Sequence, residues 1–149
     1  MTICFRLSSI KYQASTGMGS SLHGGRWNPK GVAVVYAAAS ASLATLEILV
    51  QYSVLPRDFV LTEIHIPSGV VIQSMNERDL PPGWQAFPQA SITQELGHNW
   101  VSQGHSAVLT VPSAILPSEQ IYLLNPSHHA FEKIRFLPST PFRFDPRLK

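Results

Sequence analysis

Short apolar runs alternate along the chain with polar segments rich in glycine and proline, and this pattern predicts more strands than helices. Two helices are expected: one begins at a Ser40 or Ser42 cap and runs over 41–52, and one begins at Ser91 or Thr93 and ends near Gly104. Because strands and helices follow each other irregularly, we expect an α+β fold with mixed or antiparallel sheets and flanking helices. The predicted strands are 2–7, 32–36, 57–66, 107–111, 120–124 and 132–137, and the predicted loops are 15–23 and 76–91.

Length and composition narrow the class of protein. The chain has 149 residues, of which 44% are hydrophobic and 13% charged, so we expect a single compact domain over residues 1–149. The net charge of +2 comes without a run of lysines and arginines, which argues against direct contact with nucleic acid.

Targeting and metal signals are missing as well. The longest apolar run, "GVAVVYAAASASLATLEILV", is interrupted by polar residues, and no basic segment precedes a long apolar one, so we expect a cytoplasmic protein without a membrane span. The six histidines have no metal-binding spacing, and Cys4 is the single cysteine. We expect no metal site.

Glu47 does not fit a simple core helix. On a helix over 41–52, Leu43, Leu46 and Val50 share one face, and Glu47 falls at the edge of that stripe. Burying a carboxylate there is costly unless it is paired. Glu47 is therefore either a structural residue, paired with arginine or reaching water, or an acid that acts on a ligand.

The stretch "HGGRWNPKG" concentrates unusual local chemistry. Gly24 and Gly25 permit a positive φ or a close approach of the backbone to a ligand. Arg26 offers a planar fork that suits phosphate or carboxylate, and residues 28–31 have the residue order of a type I turn. The same stretch also fits a plain connection in which Trp27 fills the core and the arginine is solvated.

Two further residues stand beside predicted strands. Tyr36 ends the strand 32–36, where its ring either belongs to the core or stacks on a planar ligand. Ser113 follows the strand 107–111, where its hydroxyl either stabilises a turn or meets a ligand. The chain has no G-x-S-x-G, G-x-x-x-x-G-K or G-x-G-x-x-G motif, so a hydrolase elbow, a P-loop and a Rossmann loop are not expected.

Four stretches, taken in order, resemble the RES domain, the toxin component of bacterial RES–Xre toxin–antitoxin pairs. They are "GGRWNPKGVAVVYAAASASLATLE", "LPPGW", "VLTVPSAI" and "YLLNPSH", and the resemblance extends from Phe5 to about His128. The arginine, glutamate and serine for which the family is named match Arg26, Glu47 and Ser113.

The resemblance implies a fold similar to ADP-ribosyltransferases and a toxin that degrades NAD at its nicotinamide–ribose bond, with phosphate or water as acceptor. NAD is then a substrate, and no cofactor is expected. Glu47 would stabilise positive charge on the ribose, Arg26 would bind the pyrophosphate, and Tyr36 would stack on nicotinamide. Ser113 is expected to bind the ribose or the nicotinamide amide. The catalytic set is Glu47, Arg26 and Tyr36, and the NAD-binding set is Arg6, Gly25, Arg26, Tyr36, Ser113 and Asn125.

Two other functions stay open at this point. An ADP-ribosyltransferase would modify a protein, although arginine-specific members carry an acid two residues before the catalytic glutamate and this chain has Thr45 there. A non-catalytic nucleotide-binding module would hold NAD without turning it over.

The resemblance also implies a partner. We expect a helix-turn-helix, Xre-like antitoxin that blocks the site and makes the DNA contacts. Apolar residues in "FPQASITQELGHNW" are expected to serve that interface or a homodimer.

Overall fold

The computed structural model describes residues 1–149. Its strands are β1 (Thr2–Ser9), β2 (Val35–Ala38), β3 (Phe59–Ile66), β4 (Ile72–Ser74), β5 (Val108–Pro112), β6 (Gln120–Leu124), β7 (Arg135–Phe136) and β8 (Thr140–Phe142), and its helices are α1 (Met18–His23), α2 (Ala41–Leu49) and α3 (Ser91–Gln103). The eight strands form one mixed sheet in the order β4-β5-β6-β2-β1-β3-β7, with β8 also paired to β3. The pairs β1–β2, β1–β3, β2–β6, β3–β7, β3–β8 and β5–β6 are antiparallel, whereas β4 and β5 are parallel. The expected α+β class with a mixed sheet is confirmed.

The sheet buries apolar residues on both faces. One core contains the three tryptophans together with Leu43 of α2 and Leu123 of β6, and the other contains Cys4 and Ile64. The longest pairing joins β1 to β3 over eight residue pairs, which places β1 in the interior of the sheet. Short 3₁₀ helices lie at Glu77–Asp79, His129–Lys133 and Pro146–Leu148.

Several predicted boundaries are wrong, and their hydrogen bonds explain why. The predicted strand 32–36 begins only at Val35, because Val34 exchanges its backbone hydrogen bonds with the Ser20 hydroxyl and the carbonyl of Val32 accepts from Asn28 Nδ2. These partners come from the preceding loop, so residues 32–34 do not join the ladder. Part of the predicted loop 15–23 is helix α1.

Other short elements had no clear pattern. The last predicted strand, 132–137, shrinks to Arg135–Phe136, and it follows a 3₁₀ turn. Strands β4 and β8 were not predicted because each has only three residues and shows no period-2 pattern.

Helix α2 shows a different buried face from the predicted one. Ser40 caps it, since its hydroxyl accepts from the Leu43 backbone N–H at 3.1 Å. The predicted apolar stripe is wrong, because Leu46 and Val50 are exposed, whereas Leu43 and Ala44 are buried. The inward face therefore continues from Leu43 and Ala44 directly to Glu47, three to four residues on.

Helix α3 packs its backbone against the loop that carries Trp27. A Cβ on Gly97 would lie 1.6 Å from the Trp27 carbonyl oxygen, so only glycine allows this approach. Its N-cap is Ala90 without a side-chain bond, not Ser91 or Thr93 as predicted, and it ends at Gly104 as expected. Of the apolar residues expected to form an interface, Phe87 is exposed but Trp100 is buried.

None of the helices combines the length and the apolar character needed to cross a membrane.

Replacing Gly97 with alanine should destabilise the protein by about 2 kcal/mol or more, because overpacking against a backbone atom outweighs the better helix propensity of alanine. Urea unfolding measures the change in the free energy of unfolding. Asn99→Ala, on an exposed position of the same helix, should change it by less than about 0.5 kcal/mol. A Gly97→Ala protein as stable as the wild type would contradict the close packing of α3 on the Trp27 loop.

Candidate active site

A cleft of about 460 Å³ opens between β1, α2, the loop before β2 and the residues that follow β5. A narrower pocket of about 100 Å³ adjoins it and shares four of its polar residues, Arg6, Tyr36, Glu47 and Gln51. Gly25 and Arg26 line the main cleft as well. Five of the seven predicted site residues therefore meet in one place.

The carboxylate of Glu47 is held by a hydrogen bond from Ser113. The serine hydroxyl donates to Glu47 Oε1 at 2.8 Å, across 66 residues of sequence. Burial raises the pKa of Glu47 above its usual value, and the Ser113 hydrogen bond and the positive charge of Arg26 oppose that rise. Glu47 is thus a partly desolvated acid whose charged form is supported by one neutral donor and one nearby cation.

Ser113 is fixed by its own turn. It is fully buried, and its oxygen accepts the backbone N–H groups of Ile115 and Leu116, each at 3.1 Å. Because both acceptor positions of the hydroxyl are occupied, its proton points to the Glu47 carboxylate. Ser113 does not line the cleft; its hydroxyl lies against the Glu47 carboxylate, and not at the cleft surface where the expected contact to ribose or the nicotinamide amide would be made.

The hydroxyl of Tyr36 connects β2 to the glycine-rich loop. It donates to Asn28 Oδ1 at 2.5 Å and accepts the Trp27 backbone N–H at 2.9 Å. Burial is the main cause of a raised pKa of Tyr36, so the phenol stays protonated. Only glycine fits at position 25 beside this hydroxyl, because a Cβ there would lie 2.7 Å from the Tyr36 oxygen.

Asn28 is the central polar residue of this loop, although its sequence context predicts only a turn residue. Its side chain is completely buried and donates to the carbonyls of Ser20 and Val32 at 2.9 and 2.8 Å. The expected turn over 28–31 is not formed in that register, because the Gly31 N–H donates to the Ser21 carbonyl and the Val32 N–H donates to the Pro29 carbonyl. A second tight turn spans 25–28, where the Gly25 N–H donates to the Asn28 carbonyl, and it carries Arg26 and Trp27 at its tip.

Arg26 lines the cleft and is bound to the protein backbone through one of its guanidinium nitrogens. Its Nη1 donates to the carbonyls of Trp84 and Ala86, each at 2.9 Å, which uses both protons of that nitrogen. Partial burial lowers the pKa of Arg26, and the nearby charge of Glu47 opposes that shift. The two do not form a direct ion pair, since the ion pairs of this structure are His65–Glu63 and Arg147–Asp145.

Arg6 is a second cation without a carboxylate partner. Its Nη1 donates to the Tyr36 carbonyl at 2.9 Å, and its buried Nε has no hydrogen-bond partner. Burial lowers the pKa of Arg6 to about 10, which still leaves it charged at neutral pH. With two arginines and one carboxylate, the cleft is electrostatically suited to an anionic ligand.

Asn125 lies outside the cleft. Its backbone N–H donates to the Ala107 carbonyl, and its buried side-chain oxygen accepts from Ser127 at 2.9 Å. The geometry places it in the turn that follows β6, where it satisfies local backbone groups. The structure thus does not support Asn125 as a ligand contact.

Some residues of the site carried no usable signal in the sequence. Gln94 of α3 donates to the Gly25 carbonyl at 3.0 Å, and Gln85 donates to the Ala114 carbonyl at 2.9 Å. Both are side chains that contact the backbone of distant loops, which local patterns do not reveal. For Asn28, the only cue was its position between a tryptophan and a proline.

Comparison with known proteins agrees with the motifs. A model of the RES domain family matches residues 3–145 of the chain. The toxin Res of Yersinia enterocolitica is 39% identical over 150 residues, which cover 97% of this chain and 98% of that protein. The toxin Res of Photorhabdus laumondii is 40% identical, covering 98% and 96%. The Prs ADP-ribosylating toxin of a Sphingobium species is 37% identical, covering 89% and 85%.

A solved structure shares the fold. A chain in the crystal structure of the M. tuberculosis MbcT–MbcA toxin–antitoxin complex aligns with a TM-score of 0.73 over 99% of this chain and 86% of that chain, at 17% identity. At this identity the likeness concerns the fold alone. The family match over almost the whole chain, together with relatives about 40% identical over nearly their full length, shows that the chain belongs to the RES domain family.

Proposed function

We propose that this chain is the toxin of a toxin–antitoxin pair and that it degrades NAD by cleaving the nicotinamide–ribose bond. The observation that carries the proposal is the Glu47 carboxylate, held by Ser113 beside a cleft that contains two arginines. The relatives named toxin Res and the one named an ADP-ribosylating toxin support it. NAD has a pyrophosphate that the arginines can bind. It also has a glycosidic bond to a cationic nicotinamide ring, next to which the Glu47 carboxylate can act.

In the proposed reaction the bond between C1 of the ribose and the nicotinamide nitrogen breaks, and its electron pair leaves with nicotinamide. Glu47 stabilises the positive charge that develops on the ribose. An oxygen of phosphate or water then bonds to C1 and, in the case of water, loses its proton to solvent or to Glu47. Arg26 and Arg6 hold the pyrophosphate, and the ring of Tyr36 packs against nicotinamide.

Helix α2 carries no second acid beside Glu47, which favours a small acceptor such as phosphate or water. The residue two positions before Glu47 is Thr45, whose hydroxyl donates to the Ala41 carbonyl at 2.8 Å. A single carboxylate suits phosphate or water better than activation of a protein side chain. Products separated after incubation with and without phosphate identify the acceptor, since phosphorolysis leaves a phosphorylated ADP-ribose and hydrolysis leaves ADP-ribose.

A second candidate is transfer of ADP-ribose to a protein, and the Sphingobium relative's name favours it. NAD labelled in its adenylate part separates the two. Label that stays on protein after denaturation indicates transfer, whereas label found only in small molecules indicates degradation.

We also propose a helix-turn-helix antitoxin as partner, since the MbcT–MbcA complex has the same fold in its toxin. Co-expression of such a protein encoded beside this chain should restore growth and cellular NAD in cells that produce the chain. Growth arrest that continues while the two proteins co-purify would contradict an inhibitory role for that partner.

Glu47→Gln should reduce nicotinamide release from NAD by about 100-fold or more, because it removes one charge that stabilises the transition state and keeps the shape of the side chain. Purified protein with NAD and chromatographic detection of nicotinamide measures the rate. The matched change Glu95→Gln, on an exposed position of α3, should leave the rate unchanged. Equal rates for wild type and Glu47→Gln would overturn the catalytic assignment.

The pH profile should report the state of Glu47. Activity requires the ionised carboxylate, so it should fall as the pH drops through a pKa that burial has raised above the usual glutamate value. Ser113→Ala removes a contribution that lowers this pKa, and therefore the acid limb of kcat should move to higher pH.

This shift distinguishes orientation of Glu47 from mere loss of folded protein, which would lower the rate equally at every pH. Ser118→Ala, on an exposed loop position, serves as the control and should keep the wild-type profile. An unshifted acid limb in Ser113→Ala would exclude a role of Ser113 in setting the ionisation of Glu47.

A further inference from the structure

Phe87 is an aromatic side chain that lines the cleft and is nevertheless 81% exposed. Large aromatic side chains are normally buried in the core or at an interface, because leaving their apolar surface in water forgoes a substantial hydrophobic gain. The nearby Trp84 follows this rule and is buried. The exposure of Phe87 at the cleft therefore calls for an explanation that the folded chain does not supply.

The loop that carries Phe87 is anchored on both sides of the cleft. Arg26 Nη1 binds the carbonyls of Trp84 and Ala86, and Gln85 Nε2 binds the Ala114 carbonyl at 2.9 Å. Phe87 therefore directly follows Ala86, whose carbonyl the Arg26 guanidinium binds. Because these bonds fix the backbone, the ring is presented at the mouth of the cleft at little entropic cost on binding.

Arg26 also links this loop to the acid. Its charge and that of Glu47 influence each other, although the two groups are not in direct contact. Neighbouring residues of the cleft thus lead from the half-buried Glu47, through Arg26, to the exposed ring of Phe87. In a dinucleotide the same order appears as the reacting ribose, the pyrophosphate and the adenosine.

We propose that Phe87 is the platform on which the adenine ring of NAD stacks, so that it makes the site selective for a dinucleotide over a nicotinamide mononucleotide. This inference rests on the proposed function. A flat heteroaromatic ring matches an exposed phenyl ring, and such stacking does not require a hydrogen-bonding pattern. Phe87 binds the part of the substrate that does not react, so its removal weakens binding and spares the chemical step.

Steady-state cleavage of NAD by wild type and Phe87→Ala tests this role, with AMP and nicotinamide mononucleotide as competitors. The KM for NAD and the inhibition constant of AMP should both rise by about 5- to 150-fold, the range for loss of one base stack. The inhibition constant of nicotinamide mononucleotide and kcat should change less than about twofold. Phe87→Tyr, which keeps an aromatic ring, should retain wild-type constants.

Val71→Ala is the matched control, since Val71 is also an exposed apolar side chain but lies outside the cleft; it should leave all constants unchanged. An unchanged KM for NAD in Phe87→Ala overturns the proposal and leaves the ring to a protein partner. Equal losses for AMP and nicotinamide mononucleotide also overturn it, because they indicate general damage to the cleft. The wild-type protein tests the NAD-degrading function separately, because absence of nicotinamide release by the wild type would contradict that function. The adenine platform is tested by the ratios of KM and of inhibition constants between Phe87→Ala and wild type.

Discussion

The hydrogen bond from the Tyr36 hydroxyl to Asn28 Oδ1 is the contact on which the geometry of the site depends. It joins a strand in the middle of the sheet to the turn over residues 25–28, and the same hydroxyl also accepts the Trp27 N–H. Asn28 donates its amide protons to the carbonyls of Ser20 and Val32, so helix α1 and the segment before β2 are bound to the same side chain. A buried polar network of this kind is rigid only when each member is satisfied, and here each is.

Two glycines leave the room that this network needs. Gly25 leaves room for the Tyr36 oxygen, and Gly97 lets the backbone of α3 lie against the Trp27 carbonyl. The turn is thereby held between the sheet on one side and a helix on the other. Because the turn cannot move toward either, the direction of Arg26 at its tip is set by the backbone and by the two carbonyls that its Nη1 binds.

The sequence was informative where a residue type conflicted with its surroundings. Glu47 stood out because a carboxylate near an apolar helix face needs a reason, and the structure places it on the inward face. The predicted stripe was nevertheless wrong, since alanine at position 44 is buried while Leu46 and Val50 are exposed, and periodicity weights large apolar residues over small ones. The partners were out of reach of any local pattern: the Ser113 hydroxyl meets Glu47 across 66 residues, and the backbone bonds of Val34 go to the Ser20 side chain 14 residues earlier.

The cleft keeps its charges apart by giving each a neutral partner. Glu47 is held by a hydroxyl, Arg26 by two carbonyls and Arg6 by one. A direct ion pair between Arg26 and Glu47 would satisfy both groups and remove them from chemistry, since binding a ligand would first require breaking it. Neutral partners fix the side chains in place without neutralising them, so the two arginines and the carboxylate keep their charges for a ligand. Electrostatic stabilisation without reorganisation depends on this separation, and here it follows from which backbone carbonyls and which hydroxyl the fold brings to the cleft.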